Sequence, residues 1–137
     1  IDGIRAVATI GAPAEPEHVR RLLTEVEPEL ERTGEATVIV GGQPFRITRN
    51  FLDDLERQSG TGAAAELGAA LLIFHSPDDV VVEIDNAAQL FKAARHPRSF
   101  VALDGADHLL TRRADAEFVA NVLATWARRY VPGPALG

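Results

Sequence analysis

The sequence predicts an α/β fold in which a mostly parallel sheet is flanked by helices and carries a small β-hairpin insertion. Strand-like and helix-like segments alternate along the 137 residues, which is the order typical of parallel sheets. Three of the strand-like segments are almost continuously apolar, as expected of strands that are buried on both faces. A two-strand pattern around a glycine pair interrupts this order and predicts the hairpin.

The first strand is predicted at 4–10, an apolar run that ends at Gly11-Ala12-Pro13. A helix follows this strand, because Pro16 suits a first helical turn and apolar residues repeat at helical spacing until Pro28. The predicted core face of this helix consists of Val19, Leu22, Leu23 and Val26.

The hairpin is predicted at 36–48, where Gly41-Gly42 separates two β-rich runs. Pro44 confines the second of these strands to an edge, because proline has no N–H to donate. Two short helices are expected after the hairpin. The first carries Phe51, Leu52 and Leu55, and the second runs from Ala63 to Leu67.

Two further strands are predicted at 70–74 and 99–103, with a helix from Asp85 to Arg95 between them. Its expected core face holds Ile84, Ala87, Ala88 and Phe91. A last helix over 115–130 is expected to bury apolar side chains at helical spacing and to end at Pro132-Gly133. Those side chains are Phe118, Val119, Val122, Leu123 and Trp126.

Composition predicts one globular domain and excludes several function classes. The chain is 46% hydrophobic and 25% charged, and it has no cysteine, which excludes a disulfide framework and thiolate metal sites. No apolar run approaches the roughly 20 residues of a membrane span. A net charge of −6 with scattered arginines disfavours nucleic acid as a partner. The chain lacks methionine and begins in an apolar run, which favours a fragment or a processed product.

Titratable residues follow two of the predicted strands. Asp78 and Asp79 come directly after the strand at 70–74, and His108 comes after the strand at 99–103. Because loops at the carboxyl ends of parallel strands lie at one edge of the sheet, these side chains are expected to meet there. A carboxylate and an imidazole that face one another are typical of the acid and the base of a catalytic triad. The serines are Ser59, Ser76 and Ser99, and none lies in a G-x-S-x-G turn.

Both segments resemble motifs of the α/β-hydrolases. The run from His75 to Val82 looks like the acid motif at a strand end, and Gly105-Ala106-Asp107-His108 resembles the histidine loop of that superfamily. Further runs at 9–14 and 41–55 are similar to the hydrolase part of bacterial proteins that fuse an α/β-hydrolase to an OsmC-like domain. The resemblance implies that 1–131 is the C-terminal half of a hydrolase domain and that 132–137 is a tail or linker.

The resemblance implies a role for each residue that matches the family pattern. Asp79 takes the position of the triad acid and His108 that of the general base, while the nucleophilic serine and the oxyanion-hole amides belong to segments before residue 1. A cytoplasmic, cofactor-free serine esterase is therefore expected for the parent protein. This chain alone is expected to be inactive.

Several alternatives remain open. Asp78 rivals Asp79, because a slip of one residue exchanges the two aspartates. The chain is alternatively a noncatalytic binding module, either a degenerate hydrolase or a half-domain that another chain completes, and it then associates through its apolar strand edge at 4–10. A metal site built from His75, Asp78, Asp79 and His108 has suitable ligand types but no metal-binding spacing; otherwise His75 is expected to pack or to form a hydrogen bond. The hairpin either shapes a substrate pocket, with Phe45 and Phe51, or covers a sheet edge.

Overall fold

The computed structural model describes residues 2–15, 20, 21, 23–56 and 60–133, with the side chains of residues 55 and 56 left out. The described elements follow one another in the predicted order, apart from an unpredicted helix at Glu27–Thr33. They are β1 (Ala6–Ile10), α1 (Glu27–Thr33), β2 (Glu35–Val40), β3 (Gln43–Thr48), α2 (Arg49–Glu56), α3 (Gly60–Ala65), β4 (Ala70–His75), α4 (Asp85–Ala93), β5 (Arg98–Ala102) and α5 (Arg113–Ala127).

The main sheet has three parallel strands in the order β1-β4-β5. Ile10 at the end of β1 pairs with Phe74, and His75 at the end of β4 pairs with Ala102. The loops that follow the three strands therefore leave the sheet at the same edge, as the sequence predicts. This arrangement confirms the mostly parallel sheet flanked by helices.

The strand β4 divides the core into two layers, and all six of its residues are buried. Alternate side chains of a strand point to opposite faces. Leu71 and Ile73 pack with residues of α3 and α4 on one face, and Leu72 and Phe74 pack against Val119 of α5 on the other. Burial on both faces explains why this strand is apolar throughout.

The hairpin forms a separate antiparallel sheet of two strands, in which Val38 pairs with Phe45. Its inner side chains have their own core rather than joining the core of the main sheet. That cluster consists of Leu23, Leu30, Ala36, Val38, Ile47 and Leu52, with Val26 and Val40 packed against it. The helix α2 thus belongs to the hairpin layer through Leu52.

The first predicted helix is only partly described. Arg20, Arg21 and Leu23 are helical, whereas Pro16, Val19 and Leu22 lie outside the described residues, as does the side chain of Leu55. The prediction that Pro28 ends this helix is wrong, because Pro28 lies in the first turn of α1. Proline is tolerated there, since the first N–H groups of a helix have no partner within it.

Two predicted core positions are exposed instead. Phe118 is 48% exposed, because the buried stripe of α5 runs through Val119, Val122, Leu123 and Trp126 and leaves Phe118 one position outside it. On α4, Ala88 is exposed, and Leu90 joins Ala87 in the core.

Candidate active site

Asp79 is a buried carboxylate held by the backbone of its own loop. Its Oδ1 atom accepts hydrogen bonds from the N–H groups of Val81 and Val82, each at 2.9 Å. The side chain is only 1% exposed. Two backbone donors on one oxygen fix the plane of the carboxylate and leave Oδ2 to meet another group.

That other group is His108, which follows β5. Its Nδ1 atom lies 2.7 Å from Oδ2 of Asp79. Because a buried carboxylate accepts hydrogen bonds, this contact assigns the proton of the ring to Nδ1. The side chain is 17% exposed, and Nε2 makes no hydrogen bond to any described residue. The imidazole therefore has one nitrogen oriented by the carboxylate and the other one able to accept a proton.

Asp78 does not contact His108 but joins the two loops in another way. Its Oδ2 atom accepts a hydrogen bond from the N–H of Gly105 at 2.8 Å. Ser76 adds a second link, because its hydroxyl donates to the carbonyl of Ala106 at 2.6 Å and accepts from the N–H of Asp78 at 3.0 Å. These bonds hold the loop of the acid against the loop of the histidine.

A second imidazole lies behind the carboxylate. His75 is fully buried, and its Nε2 atom donates to the carbonyl of Val82 at 2.7 Å. The same nitrogen lies 3.6 Å from Oδ2 of Asp79, too far for a hydrogen bond. Since the N–H of Val82 is one of the two donors to Asp79, His75 bonds to the residue whose other backbone group orients the carboxylate.

Gly11 closes the site from the loop that follows β1. Its N–H donates to the carbonyl of Phe74 at 3.0 Å, and its φ of +59° lies in the left-handed region. A Cβ atom at this position would lie 3.2 Å from Nδ1 of His108 and 3.3 Å from Oδ2 of Asp79. The absence of a side chain at Gly11 therefore lets the backbone approach the Asp79–His108 pair closely.

Asp107, the residue before the histidine, bonds to Thr111 instead of entering the pair. The hydroxyl of Thr111 donates to Oδ2 and its N–H donates to Oδ1. These hydrogen bonds, that of the hydroxyl first, lower the pKa of Asp107 below its usual value. Asp107 therefore stays ionised at neutral pH and fixes the turn that carries His108.

Beside His108 lies a cavity of about 460 Å³ between the histidine loop and the hairpin. The Cβ position of Gly41, in the hairpin turn, is 3.1 Å from the side chain of Leu109, so the hairpin rests directly on the histidine loop. The cavity is lined by Leu23, Val38, Val40, Phe45, Arg46, Ile47, Thr48, Phe51, His108 and Leu109. Phe45 and Phe51, the two aromatic residues considered for a substrate pocket, are thus part of the cavity lining.

Solved structures with the same arrangement of elements identify the fold. The esterase domain of a Rhodothermus marinus protein is 55% identical with a TM-score of 0.84, over 95% of this chain and 53% of that one. This chain adopts part of the α/β-hydrolase fold. Mouse α/β hydrolase domain-containing protein 10 shares it at 18% identity and a TM-score of 0.64, over 93% of this chain and 54% of that one.

A monoacylglycerol lipase from Paleococcus ferrophilus has the same α/β-hydrolase fold at 16% identity and a TM-score of 0.55, over 90% of this chain and 59% of that one. The chain spans somewhat more than half the length of these three proteins. No protein-family model and no curated protein matches the sequence.

The part of the α/β-hydrolase fold that the structure describes contains no group of three or more histidine, aspartate or glutamate side chains suited to a metal ion. His75 and Asp78, two of the four ligands considered from sequence, are engaged by Val82 and Gly105. Among the same residues, no helix is both long enough and apolar enough to cross a membrane.

The sequence did not indicate the contribution of Gly11 or of Ser76 to this site. For Gly11, the available signal is a glycine directly after a buried strand, in the loop at the functional edge of the sheet. Ser76 carries no such signal, since a serine after a strand is usual in any turn.

Proposed function

We propose that this chain supplies the acid and the base of a serine hydrolase of the esterase type, with Asp79 as the acid and His108 as the base. The observation that carries the proposal is the 2.7 Å contact between Oδ2 of Asp79 and Nδ1 of His108, on a carboxylate that two backbone amides hold in place. The carboxylate keeps the imidazole in the required tautomer and stabilises the imidazolium that forms.

The proposed reaction needs a serine from a segment other than this chain. His108 Nε2 takes the proton of the serine hydroxyl while the serine oxygen attacks the carbonyl carbon of an ester. The C–O bond to the alcohol breaks, and the imidazolium returns the proton to the leaving oxygen. Water, activated by the same nitrogen, then releases the carboxylic acid and restores the serine.

Similarity supports an ester as the substrate. The solved neighbour at 55% identity is titled an esterase domain. Together with the resemblance to OsmC-fused hydrolases, this favours a parent protein in which residues 1–131 are the C-terminal half of the hydrolase domain and 132–137 are a tail or linker. We infer a cytoplasmic parent whose own residues and water carry out the reaction.

The test joins this chain to an N-terminal half that carries a G-x-S-x-G serine and follows the hydrolysis of a chromogenic ester. His108→Ala is expected to lower kcat about 10⁴- to 10⁶-fold, because the serine then has no base. His96→Ala is the matched control, since His96 is an exposed histidine outside the site. Unchanged turnover in the His108 variant would rule out its role.

Variants of the same joined protein distinguish the roles of Asp78 and Asp79. Asp79→Asn is expected to lower kcat by about 10⁴-fold, since the amide stabilises the wrong tautomer of His108. Asp78→Asn keeps an oxygen that can accept from Gly105 and is expected to retain most of the activity. A larger loss in the Asp78 variant would reverse the assignment.

A noncatalytic role is the second candidate, and the edge of the sheet supports it. β1 lies at one edge of the described sheet, and the apolar residues Ile4 and Ile10 beside that edge are exposed. Unpaired strand edges bind other strands. In this role the chain pairs with a partner through β1, either a missing N-terminal half or a second copy.

A further inference from the structure

The cavity next to His108 has the size of a ligand site. Its volume of about 460 Å³ falls in the range of about 300–1,000 Å³ that small-molecule pockets occupy. One wall is the histidine loop, with His108 and Leu109, and the opposite wall is the hairpin. A molecule in this cavity therefore touches the proposed base and the hairpin together.

The chemistry of the walls selects an uncharged, apolar ligand. Most of the lining side chains are aliphatic or aromatic. Apart from His108, the one ionisable side chain in the lining is Arg46, and its guanidinium already pairs with Glu35. Because moving a charge from water onto an apolar surface without a partner is unfavourable, the lining favours uncharged groups.

The walls are built before any ligand arrives. Leu23, Val38 and Ile47 line the cavity and also belong to the buried core of the hairpin layer. The turn at Gly41 rests on Leu109, which couples this layer to the histidine loop. A cavity whose walls are held by their own core does not need to be ordered by the ligand, which favours binding.

The position of His108 determines whether the cavity binds the alcohol part or the acid part of an ester. In the proposed mechanism, on which this inference rests, Nε2 returns a proton to the leaving oxygen and must come within about 2.6–3.2 Å of it. The substituent on that oxygen therefore begins beside His108. We propose that the cavity between the hairpin and Leu109 is the alcohol subsite, and that it takes the apolar alcohol arm of the ester.

Binding to the chain itself tests the subsite without any serine. Titration of the ¹⁵N-labelled chain with benzyl alcohol is expected to give saturable shifts at the amides of Gly41, Ile47 and Leu109. Phe45→Ala should weaken binding several-fold, because it removes an aromatic wall. Phe118→Ala, which truncates a similarly exposed phenyl ring on α5, should leave binding unchanged. Shifts that map elsewhere, or equal binding of benzoate, would overturn the proposal.

Two series of esters, assayed with the protein that joins this chain to an N-terminal half, test whether the cavity binds the alcohol part or the acid part of the ester. Acetates of increasingly long alcohols are compared with methyl esters of increasingly long acids. Phe45→Ala is expected to lower kcat/KM for hexyl acetate about ten-fold relative to methyl acetate and to leave the ratio within the acid series unchanged. An effect confined to the acid series would overturn the alcohol assignment. Lack of turnover with every ester would contradict the proposed function, and the binding titration would still decide the subsite.

Discussion

At the scale of single residues, the Asp79 carboxylate is held by groups of three different kinds. Two backbone amides occupy Oδ1, an imidazole meets Oδ2, and Gly11 lies against the contact between them. The two amides limit rotation of the carboxylate, and the contact at Oδ2 limits tilt of the imidazole ring. At Gly11, a side chain would have little room beside this contact. The geometry of the pair is consequently sensitive to small changes in its neighbours.

Gly11→Ala is expected to disturb the Asp79–His108 contact. The added methyl group would meet Nδ1 and Oδ2 at 3.2 and 3.3 Å, in addition to the strain of a positive φ. We expect a loss of about 1–3 kcal/mol in the free energy of unfolding beyond the backbone strain, and a shift of the Nδ1 proton resonance of His108.

Gly34→Ala is the matched control for Gly11. It has a φ of +83° and nothing within 4 Å of the added Cβ, so it carries the strain of the left-handed conformation alone, about 1–2 kcal/mol. Urea unfolding measures both variants. Equal losses, with an unchanged His108 resonance, would show that Gly11 is needed only for its turn.

His75→Phe is expected to weaken the support behind Asp79. Phenylalanine fills most of the same buried space but leaves the carbonyl of the buried Val82 without its 2.7 Å donor. The expected loss is about 1–3 kcal/mol of unfolding free energy, with faster hydrogen exchange at the amide of Val82.

Thr9→Val provides the contrast for His75. The Oγ1 atom of Thr9 is buried and has no hydrogen-bond partner among the described residues. Removing a polar group that satisfies no other group is expected to leave the stability unchanged or to raise it slightly. Equal losses of unfolding free energy in His75→Phe and Thr9→Val would show that the bond from His75 to Val82 makes no specific contribution to stability.

The sequence carries part of this residue-level picture. With the family resemblance it predicts Asp79 as the acid and leaves Asp78 as the alternative, because the motif places the acid relative to His75 and the valines. It does not reveal Gly11 or the bond from His75 to Val82. The contact of Gly11 depends on the approach of segments that are distant in the chain, and the bond from His75 to Val82 depends on the path of one loop. No spacing rule in the sequence predicts either of them.

At the scale of elements, the loop after β4 and the loop after β5 act as one unit. Ser76 bonds to Ala106 and to Asp78, and Asp78 bonds to Gly105. Two hydrogen bonds thus connect segments whose strands are already paired in the sheet, and the bond between Ser76 and Asp78 braces the first loop internally. The relative position of acid and base follows from these bonds as much as from the bond between Asp79 and His108.

Ser76→Ala is expected to loosen the two loops. It leaves the carbonyl of Ala106 and the N–H of Asp78 without their partner, at a cost of about 1–3 kcal/mol in the free energy of unfolding. Hydrogen exchange should become faster at the amides of Asp78 and Gly105.

Ser99→Ala serves as the control for Ser76. Ser99 lies half-buried on β5, and its hydroxyl makes no hydrogen bond within the described part of the chain. In Ser99→Ala, the hydrogen-exchange rates of the Asp78 and Gly105 amides should match those of the unaltered chain. Unchanged exchange in Ser76→Ala would mean that the strands alone hold the loops together.

The sequence predicts the helices and strands whose apolar residues follow a clear pattern. It does not predict features that depend on how other parts of the chain pack. β4 is buried throughout, and its apolar run indicates this directly. Helix α1 was missed, because a proline at position 28 is compatible with either the end or the start of a helix. The exposure of Phe118 depends on the angle at which α5 meets the sheet, which the periodicity of a single helix does not define.

At the scale of the whole molecule, the open edge of β1 predicts association. We expect the chain to self-associate with rising concentration, because the backbone of an edge strand and the exposed Ile10 offer a surface for another strand. Sedimentation velocity over a wide concentration range measures this. Ile10→Lys should shift the distribution toward monomer, since a charge on an edge strand opposes strand pairing.

Phe118→Lys is the control, because it places the same charge at a similarly exposed apolar residue on α5. It should leave the association unchanged. A monodisperse monomer at every concentration, or equal effects of both lysines, would exclude β1 as the association surface.

The bonds that orient Asp79 and His108 come from within residues 11–111. These bonds align the carboxylate with the imidazole, and in the proposed function the serine therefore meets a base whose orientation is already set. Under the same proposal, a break before β1 separates the segment that carries the nucleophile from a preassembled proton acceptor. The two halves are then suited to a complementation assay, in which recovered turnover reports how often they meet.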